Sequence, residues 1–290
     1  MEQTIFRSRI DGLEIDQVIR DYEYSMVTRH FHDTYELYYL VEGQRYYFID
    51  KQTYLVKAGD VVLIKPNQIH KTSLAGESYH NRILLQISGE LMDPFLKACG
   101  MGSMEAVYAE DAEILSVPES ERENVERLLL QMEKELKEKQ RQYQVGVKLK
   151  LAELLLTLTR CQKKAEFRQE SQMVQTWKHQ KVHEVADYLL THPETQESLE
   201  ELAKRFFISK SYLSRIFREV TSFTVNEYKN MNRIKKSQQY LANSEYSVTE
   251  ISDMLGFENL TYYERVFKKY AGTTPLKYRK KAESSPKPAV

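Results

Sequence analysis

The sequence of 290 residues contains little cysteine and no long hydrophobic run. Its two cysteines, Cys99 and Cys161, are too few for a disulfide framework, which excludes a small disulfide-stabilised secreted scaffold. The most apolar stretch, residues 149–158, contains Lys150 and Glu153, so no segment reaches the roughly 18 apolar residues of a membrane span. The N-terminal residues include no apolar signal segment. We therefore expect a cytoplasmic protein that does not cross a membrane.

Tryptophan is also scarce, since a single Trp accompanies 20 tyrosines, and polar aromatic side chains are therefore available for surfaces or pockets. Hydrophobic residues make up 41% of the chain and charged residues 29%. This composition excludes a wholly disordered, fibrous or repeat-only chain. The length predicts about two domains.

The whole chain has no excess of charge, with 42 basic and 42 acidic residues. Residues 181–290 nevertheless contain 18 basic and 14 acidic side chains, which leaves 24 and 28 for residues 1–180. Residues 204–240 contain nine basic and two acidic residues, and residues 265–281 contain seven basic residues and no acidic one. Two basic islands favour a polyanionic partner, and two solvated helix faces are the alternative.

The first 90 residues have the pattern of short β-strands. Runs of β-branched, aliphatic and aromatic residues occur at positions 36–41, 46–49, 61–64 and 83–87. Turn residues, such as the glycine at position 43, separate them. Many short strands at close spacing predict a sandwich or a small barrel.

The hydrophobic period changes to that of α-helices after Gly89. The apolar stripes consist of Val125, Leu128, Leu129, Met132 and Leu136, followed by Leu149, Leu151, Leu154, Leu155 and Leu158. We predict two amphipathic helices whose apolar faces pack on the strands, on each other or on a second subunit.

The C-terminal third contains several helix-start signals and an internal repeat. Capping boxes run from Ser198 to Glu201, Thr224 to Glu227 and Ser247 to Glu250, and Thr274-Pro275 marks a fourth start. At an offset of 50 residues, Ser211, Tyr212, Arg215, Phe217, Thr224 and Tyr228 match Thr261, Tyr262, Arg265, Phe267, Thr274 and Tyr278.

Each copy of this repeat has a short capped helix, a tight turn and a basic second helix, which predicts a helix-turn-helix. Two ordinary helical hairpins are the alternative. Two basic copies in register favour two reading helices that enter successive major grooves, about 34 Å apart on one face of DNA.

Residues 251–268 (ISDMLGFENLTYYERVFK) and 272–279 (GTTPLKYR) resemble the signature of AraC/XylS-type transcription regulators. The resemblance covers about 100 C-terminal residues. The chain departs from the family pattern at Ser252, where alanine is usual, at Tyr263, where phenylalanine is usual, and at Ser222, where glycine is frequent.

The resemblance implies a multidomain α and β architecture: an N-terminal cupin-like β-barrel with a helical dimerisation segment, and a C-terminal all-α domain with two helix-turn-helix units. The expected bounds are 1–110 for the effector-binding barrel, 111–162 for the dimerisation segment and 163–175 for a linker. Residues 176–282 form the DNA-binding domain, with units at about 198–220 and 247–270, and residues 283–290 form a disordered tail.

The resemblance also assigns the second helix of each unit to the major groove. The base-reading candidates carried over by position are Ser211, Ser214, Arg215, Thr261, Glu264 and Arg265. The phosphate-contact candidates are Lys210, Tyr212, Asn259, Tyr262 and Lys268. For Arg215 the alternative is an ion pair with Glu219 along the same helix.

A second motif occurs near the N-terminus. His30, His32, Glu36 and Gly43 match the first metal motif of cupins, and residues 59–70, ending at His70, resemble the second with one residue fewer. His30, His32, Glu36 and His70 form a ligand set that suits zinc, nickel, manganese or ferrous iron. Alternatively, these side chains bond an effector or one another within the barrel.

Tyr38 shares strand parity with Glu36, so it either faces the pocket or belongs to the core. Arg82 either holds an acidic sugar or is exposed. The candidate effector-binding residues are therefore His30, His32, Glu36, Tyr38, His70 and Arg82.

These patterns predict a DNA-binding transcription regulator, and no catalytic residue. Its expected partners are double-stranded DNA, a sugar effector in the barrel and a second subunit. The family resemblance adds RNA polymerase and gene activation. The alternatives are a DNA-binding metal sensor and a metal-dependent cupin enzyme, of which the enzyme leaves the doubled helix-turn-helix unexplained.

Overall fold

A computed structural model describes residues 1–22, 32–109, 113–162, 173–174 and 176–284 of the chain. The chain divides into two compact units. The first comprises Met1–Ile49 and Thr53–Val174, and the second comprises Asp50–Gln52 and Gln175–Val290. Among the described residues, no helix is long and apolar enough to cross a membrane.

The first unit is built on an antiparallel sheet whose strands run consecutively from the N-terminus. They are β1 (Glu2–Ile10), β2 (Leu13–Asp21), β3 (Tyr35–Ile49), β4 (Gln52–Lys57), β5 (Asp60–Ile64), β6 (His70–Leu74), β7 (Tyr79–Ile87) and β8 (Ile114–Ser116). The spatial order is β1-β2-β7-β3-β5-β8, and β4 and β6 both pair with β3. Strand β3 therefore contacts four other strands and is the centre of the unit.

The strands predicted at positions 36–41 and 46–49 are one strand of 15 residues, so the predicted turn at Gly43 was wrong. The register against β7 shifts between Leu40 and Glu42, which marks a β-bulge. Gly43 has a φ of +94°, and a Cβ atom there would lie 2.5 Å from the carbonyl oxygen of Tyr79. Glycine therefore allows the strand to bend here without ending.

Strand β3 separates two hydrophobic cores because its side chains alternate between the faces of the sheet. Tyr35, Leu37 and Tyr39 pack in the core that the sheet shares with the helices. Tyr38 and Leu40 pack in a second core with side chains of β4, β5 and β8 around them. The alternation thus places one set of β3 side chains beside the helices and the other set inside the curved sheet.

Four helices complete the first unit: α1 (Gly89–Ala98), α2 (Met104–Tyr108), α3 (Glu119–Glu138) and α4 (Tyr143–Gln162). The apolar stripe predicted for α3 is buried, as are four of the five leucines predicted for α4. Leu149 differs from the others, since its side chain is 55% exposed in the single chain. The buried residues of α3 and α4 belong to the same core as those of β3, so these helices pack directly on the sheet.

Between residues 176 and 284 the second unit is all-α. Its helices are α5 (Trp177–Thr191), α6 (Leu199–Arg205), α7 (Lys210–Thr221), α8 (Val225–Asn243), α9 (Val248–Met254), α10 (Leu260–Ala271) and α11 (Pro275–Ser284). The three predicted capping boxes are confirmed, because in each the side chains and backbone N–H groups bond reciprocally. The helix start at Pro275 is confirmed as well.

The 50-residue repeat extends to the burial of single side chains. Residues 211–220 and 261–270 have the same sequence of exposed, intermediate and buried positions. The family departures fit this frame: the hydroxyl of Tyr263 lies 2.6 Å from that of Ser237 inside the core. Ser222 ends α7 with a φ of +61°, as Gly272 ends α10 with a φ of +72°.

Candidate effector cavity and nucleic-acid interface

The curved sheet encloses a cavity of about 350 Å³. Its walls combine aromatic, charged and amide side chains from β1, β2, β3, β6 and β7. They are Arg7, Glu14, Asp16, Arg20, Glu36, Tyr38, Tyr47, Thr72, His80, Arg82, Leu84 and Gln86. Three of the predicted effector residues, Glu36, Tyr38 and Arg82, are thus brought together in one wall. A small polar organic molecule matches this volume and lining.

Glu36 is the central residue of a polar cluster. Its carboxylate accepts a hydrogen bond from the hydroxyl of Tyr47 at 2.8 Å. The Nε2 atom of His32 lies 3.1 Å from the other carboxylate oxygen, and Nε2 of His70 lies 3.6 Å from it. The predicted His30 lies outside the described residues. The structure therefore joins three of the four predicted metal ligands.

The backbone orients both imidazole rings of this cluster. Nδ1 of His32 donates to the carbonyl of Thr34 at 2.8 Å, and Nδ1 of His70 donates to the carbonyl of Gln68 at 2.9 Å. Because a carbonyl only accepts, Nδ1 holds the hydrogen in each ring, and Nε2 is directed at Glu36. Metal-binding histidines are fixed by the same kind of bond.

The ligand atoms of His32, Glu36 and His70 lie within 4.8 Å of one another. Two imidazoles and one carboxylate fit a divalent transition metal, which these three side chains would hold at the edge of the cavity. The metal would supply a Lewis-acidic centre for an effector oxygen. The same geometry also serves as an ion-pair and hydrogen-bond cluster without metal.

The pKa of the Glu36 carboxyl reflects two opposing effects. Burial by itself raises the pKa, but the positive charge of His70 and the hydrogen bond from His32 outweigh it. The resulting pKa lies well below its usual range, so Glu36 is ionised at neutral pH.

The positive charges of the cavity are paired with acidic side chains. Arg82 donates to the carboxylate of Asp16, which also accepts from Arg7 at 2.9 Å. Arg20 donates to Glu2 at 2.9 Å. Arg82 is 7% exposed, so the alternative of an exposed arginine was wrong, and burial lowers its pKa to about 10.

Sequence analysis missed Asp16, Arg20 and Tyr47 as cavity residues. Asp16 lies in β2, where a buried acid between Ile15 and Gln17 breaks the apolar alternation, but no local signal identifies its partner. Tyr47 does not share parity with Glu36 along the sequence. The bulge in β3 reverses the parity and brings both side chains to the same face.

The helices α7 and α10 present the predicted base-reading residues to the solvent. Ser211, Ser214, Arg215, Thr261, Glu264 and Arg265 are all exposed. In each helix the arginine lies over the tyrosine one turn earlier, with Arg215 5.1 Å from the Tyr212 ring centre and Arg265 5.2 Å from that of Tyr262. Equivalent side chains thus have equivalent conformations in the two units.

The two arginines differ in their acidic neighbours. Arg215 forms an ion pair with Glu219 at 3.3 Å, which also contacts Lys178 at 3.6 Å. The alternative interpretation of Arg215 is therefore present in the structure. Lys269 occupies the position equivalent to Glu219 in α10, so Arg265 cannot form that pair.

The predicted phosphate-contact residues lie on or next to the same two helices. Lys210 and Lys268 are exposed on α7 and α10, and Tyr212 and Tyr262 are partly buried. Asn259 is the N-cap of α10, where its side-chain oxygen accepts from the Tyr262 N–H at 2.8 Å. The side-chain N–H₂ of Asn259 therefore remains to donate to a phosphate.

Comparison with known proteins gives two family matches. A family described as a helix-turn-helix domain matches residues 202–281, and a family described as an AraC-like ligand-binding domain matches residues 15–155. PqrA of Proteus vulgaris, a probable transcription factor, is 30% identical over 100 residues, which cover 34% of this chain and 82% of PqrA. The chain belongs to the AraC family of transcription regulators. It is a DNA-binding regulator with a ligand-binding domain, and it is not an enzyme.

Two further proteins match over different lengths. The Msm operon regulatory protein of Streptococcus mutans serotype c is 24% identical over 289 residues, covering 97% of this chain and 95% of that relative. The DNA-binding domain of AdpA, solved in complex with a target DNA, is 29% identical. That match covers 35% of this chain and 91% of the AdpA domain, with a TM-score of 0.34.

Replacement of the buried carboxylate in this AraC-family cavity tests the Glu36 cluster. We expect Glu36→Gln to lower the free energy of unfolding at pH 7 by about 1–3 kcal/mol, because His32 and Tyr47 lose a charged acceptor. A carboxyl whose pKa is lowered by folding stabilises the protein above its ordinary value of 4.5, and this contribution is lost as the pH falls below that value. The variant should therefore lose less stability on acidification than the unmodified protein, as measured by urea unfolding.

Glu14→Gln provides the matched control for this measurement. Glu14 also lines the cavity, but its pair with Arg7 is partly exposed and 3.6 Å long, so its loss should change stability by less than about 1 kcal/mol. Identical pH profiles for Glu36→Gln and the unmodified protein would contradict the assigned cluster.

Proposed function

We propose that this AraC-family chain is a sugar-responsive regulator in which the cavity of the first unit binds the effector. The observation that supports it is the lining of the cavity, where the arginine charges are matched by carboxylates and two tyrosines lie beside them. Paired charges offer both donors and acceptors to hydroxyl groups, and the tyrosine rings suit the C–H faces of a sugar. Binding the effector biases the subunit arrangement and, through RNA polymerase, activates transcription.

The charge balance of the cavity favours a neutral sugar over an acidic one. Arg82 and Arg7 already share Asp16, and Arg20 already bonds Glu2, so a ligand carboxylate would have to displace a protein carboxylate. A hydroxyl can instead bond beside an existing ion pair, because charged acceptors and donors retain further hydrogen-bonding capacity.

A metal effector is the second candidate, supported by the convergence of His32, Glu36 and His70 on one point. In that case the chain is a DNA-binding metal sensor with the same C-terminal machinery. Zinc, nickel, manganese and ferrous iron all suit this ligand set.

Thermal unfolding of the full chain against a panel of neutral and acidic sugars, with and without a chelator, distinguishes these effectors. A sugar at 100 times its dissociation constant should stabilise the protein by about 2.7 kcal/mol, and the shift should survive chelation. Tyr47→Phe should reduce the shift because the cavity loses a hydroxyl, whereas Tyr46→Phe, the adjacent tyrosine outside the cavity lining, should retain it. No sugar shift together with a loss of stability on chelation would contradict the sugar effector and favour the metal.

The second part of the proposal assigns base reading to α7 and α10. It is supported by the matching exposure of six candidate residues in two helices that are equivalent in sequence and burial. Arginine bonds O6 and N7 of guanine bidentately, glutamate accepts from cytosine, and the exposed lysines suit phosphates. Arg265 is the stronger candidate because no residue equivalent to Glu219 competes for its guanidinium.

Two substitutions on α10 separate base reading from phosphate binding. Arg265→Ala should weaken binding to the preferred duplex by about 1–3 kcal/mol and relax one base position. Lys268→Ala should weaken binding to all sequences alike and reduce the salt slope by about 1. Affinities are measured by titration at several salt concentrations, with duplexes selected by the full chain from a random library. Equal losses on all sequences for Arg265→Ala would reassign it to a phosphate.

The third part of the proposal is a homodimer formed through α3 and α4. Val145 and Leu149 lie one turn apart on α4, and both are about half exposed, as is Leu130 of α3. Apolar residues four positions apart on a helix share a face, and such a face is suited to a partner helix. A second copy of the chain fits it because a twofold axis would place the same leucines opposite each other.

Sedimentation of the full chain tests the dimer. Leu149→Glu should shift the chain towards monomer, because the new charge would be desolvated at the interface. Leu276→Glu on α11 is the matched control, since Leu276 is 58% exposed and lies outside the α3–α4 segment. A monomeric unmodified chain, or equal behaviour of the two variants, would contradict the proposed interface.

A further inference from the structure

Helix α8 lies between the two helix-turn-helix units and buries an unusual number of polar side chains. They include Asn230, Asn232, Arg233, Ser237 and Gln238. Burial of a polar group is costly unless it is hydrogen-bonded, so these residues need partners within the unit. Arg233, which is 5% exposed, is the only arginine among the buried residues of α8.

The guanidinium of Arg233 joins two segments that are distant in sequence. Its Nε donates to the carbonyl of Pro193 at 2.9 Å, and Nη2 donates to the carbonyl of Thr195 at 2.8 Å. Both carbonyls belong to the segment that leads into α6, the first helix of the first helix-turn-helix. The guanidinium also lies 5.1 Å from the ring centre of Phe257, in the turn between α9 and α10.

The turn of the second helix-turn-helix, between α9 and α10, is packed tightly against the segment that leads into α6. Gly256 has a φ of +68°, and a Cβ atom there would lie 2.6 Å from the carbonyl oxygen of Glu194 and 3.2 Å from Nη2 of Arg233. Glycine is therefore required both by the backbone conformation and by the close approach.

The equivalent turn of the first helix-turn-helix, between α6 and α7, has an exposed side chain. Phe207 occupies the position 49 residues before Gly256 and has a similar φ of +57°, yet its side chain is 93% exposed. The two turns thus share a left-handed conformation and differ in what covers them. Gly256 in the second turn thus lies against Glu194 and Arg233, whereas Phe207 in the first turn has an exposed side chain.

Two further hydrogen bonds from α8 reach the segment before α6 and the second helix-turn-helix. Nζ of Lys229 donates to the carbonyl of Glu197, immediately before α6. Nδ2 of Asn230 donates to the hydroxyl of Tyr262 at 3.0 Å, on the reading helix α10. One face of α8 therefore bonds both the segment that precedes α6 and the helix α10.

We propose that Arg233 is a positioning residue that fixes the separation of the reading helices α7 and α10, so that the protein binds two DNA segments only at one spacing. This inference rests on the proposed role of α7 and α10 in reading DNA. A rigid connection makes the second contact intramolecular once the first is formed, and binding is then strong only where the spacing of the segments fits.

Arg233→Met tests this role, because methionine keeps much of the side-chain length but cannot donate to Pro193 and Thr195. The probes are a duplex selected by the full unmodified chain, the same duplex with one to five base pairs inserted between its two contacted segments, and the duplex with one segment scrambled. We expect the unmodified chain to lose at least tenfold in affinity on insertion of a few base pairs. Arg233→Met should bind the selected duplex about tenfold more weakly, bind the scrambled duplex within about twofold of the unmodified chain, and show a flat dependence on spacing.

Two further variants keep the test decisive. Arg233→Lys retains one charged donor and should restore part of the spacing dependence, and it replaces Arg233→Met under the same criteria if that variant unfolds at the assay temperature. Lys236→Met is the control: it removes a positive charge from α8 beside Tyr240 and leaves the contacts of Arg233 in place. It should keep the spacing dependence of the unmodified chain.

Unchanged spacing dependence in both Arg233 variants would overturn the inference, as would an equal loss of affinity on the selected and scrambled duplexes. Failure of the base-reading assignment is recognised separately. In that case Arg265→Ala leaves the base preference unaltered, while the Arg233 variants still change the spacing dependence.

Discussion

Strand β3 has to serve two environments at once, because successive side chains of a strand point to opposite faces of the sheet. One face provides Glu36 and Tyr38 to the cavity, and the other provides Tyr35 and Tyr39 to the core beneath the helices. The bulge between Leu40 and Glu42 then brings Tyr47 to the cavity side. The cavity, the polar cluster and the helix-packing surface all depend on this one alternating strand.

The same strand is bonded to the helices by buried polar groups. The hydroxyl of Tyr39 donates to Glu126 of α3 at 2.8 Å, and the hydroxyl of Tyr108 in α2 donates to the backbone carbonyl of Glu36. A ligand that contacts Glu36 therefore acts on a strand whose other face is fixed to α3. Because packed interiors shift between discrete arrangements, a shift of this strand would also move the side chains that contact α3.

The second unit contains two copies of the helix-turn-helix that differ at a few positions. Helices α7 and α10 share the same burial pattern and the same arginine–tyrosine stacking. They differ where a neighbouring side chain intervenes: Glu219 pairs with Arg215, whereas Lys269 stands at that position beside Arg265. The turns differ as well, because Arg233 and the segment before α6 contact the turn between α9 and α10, whereas Phe207 in the turn between α6 and α7 is exposed.

Features governed by short-range interactions were predictable from the sequence alone. The capping boxes, the stripe of α3, the repeat and the family signature depend on residues a few positions apart, where spacing determines geometry. Tertiary structure alone decided that β3 continues through Gly43, that Leu149 is exposed, and that Arg82 is buried against Asp16. Residues 16 and 82 are joined only because β2 pairs with β7, and Leu149 is exposed because the sheet and α3 cover the other side of α4. Such outcomes depend on which distant segments meet, and local spacing does not contain that information.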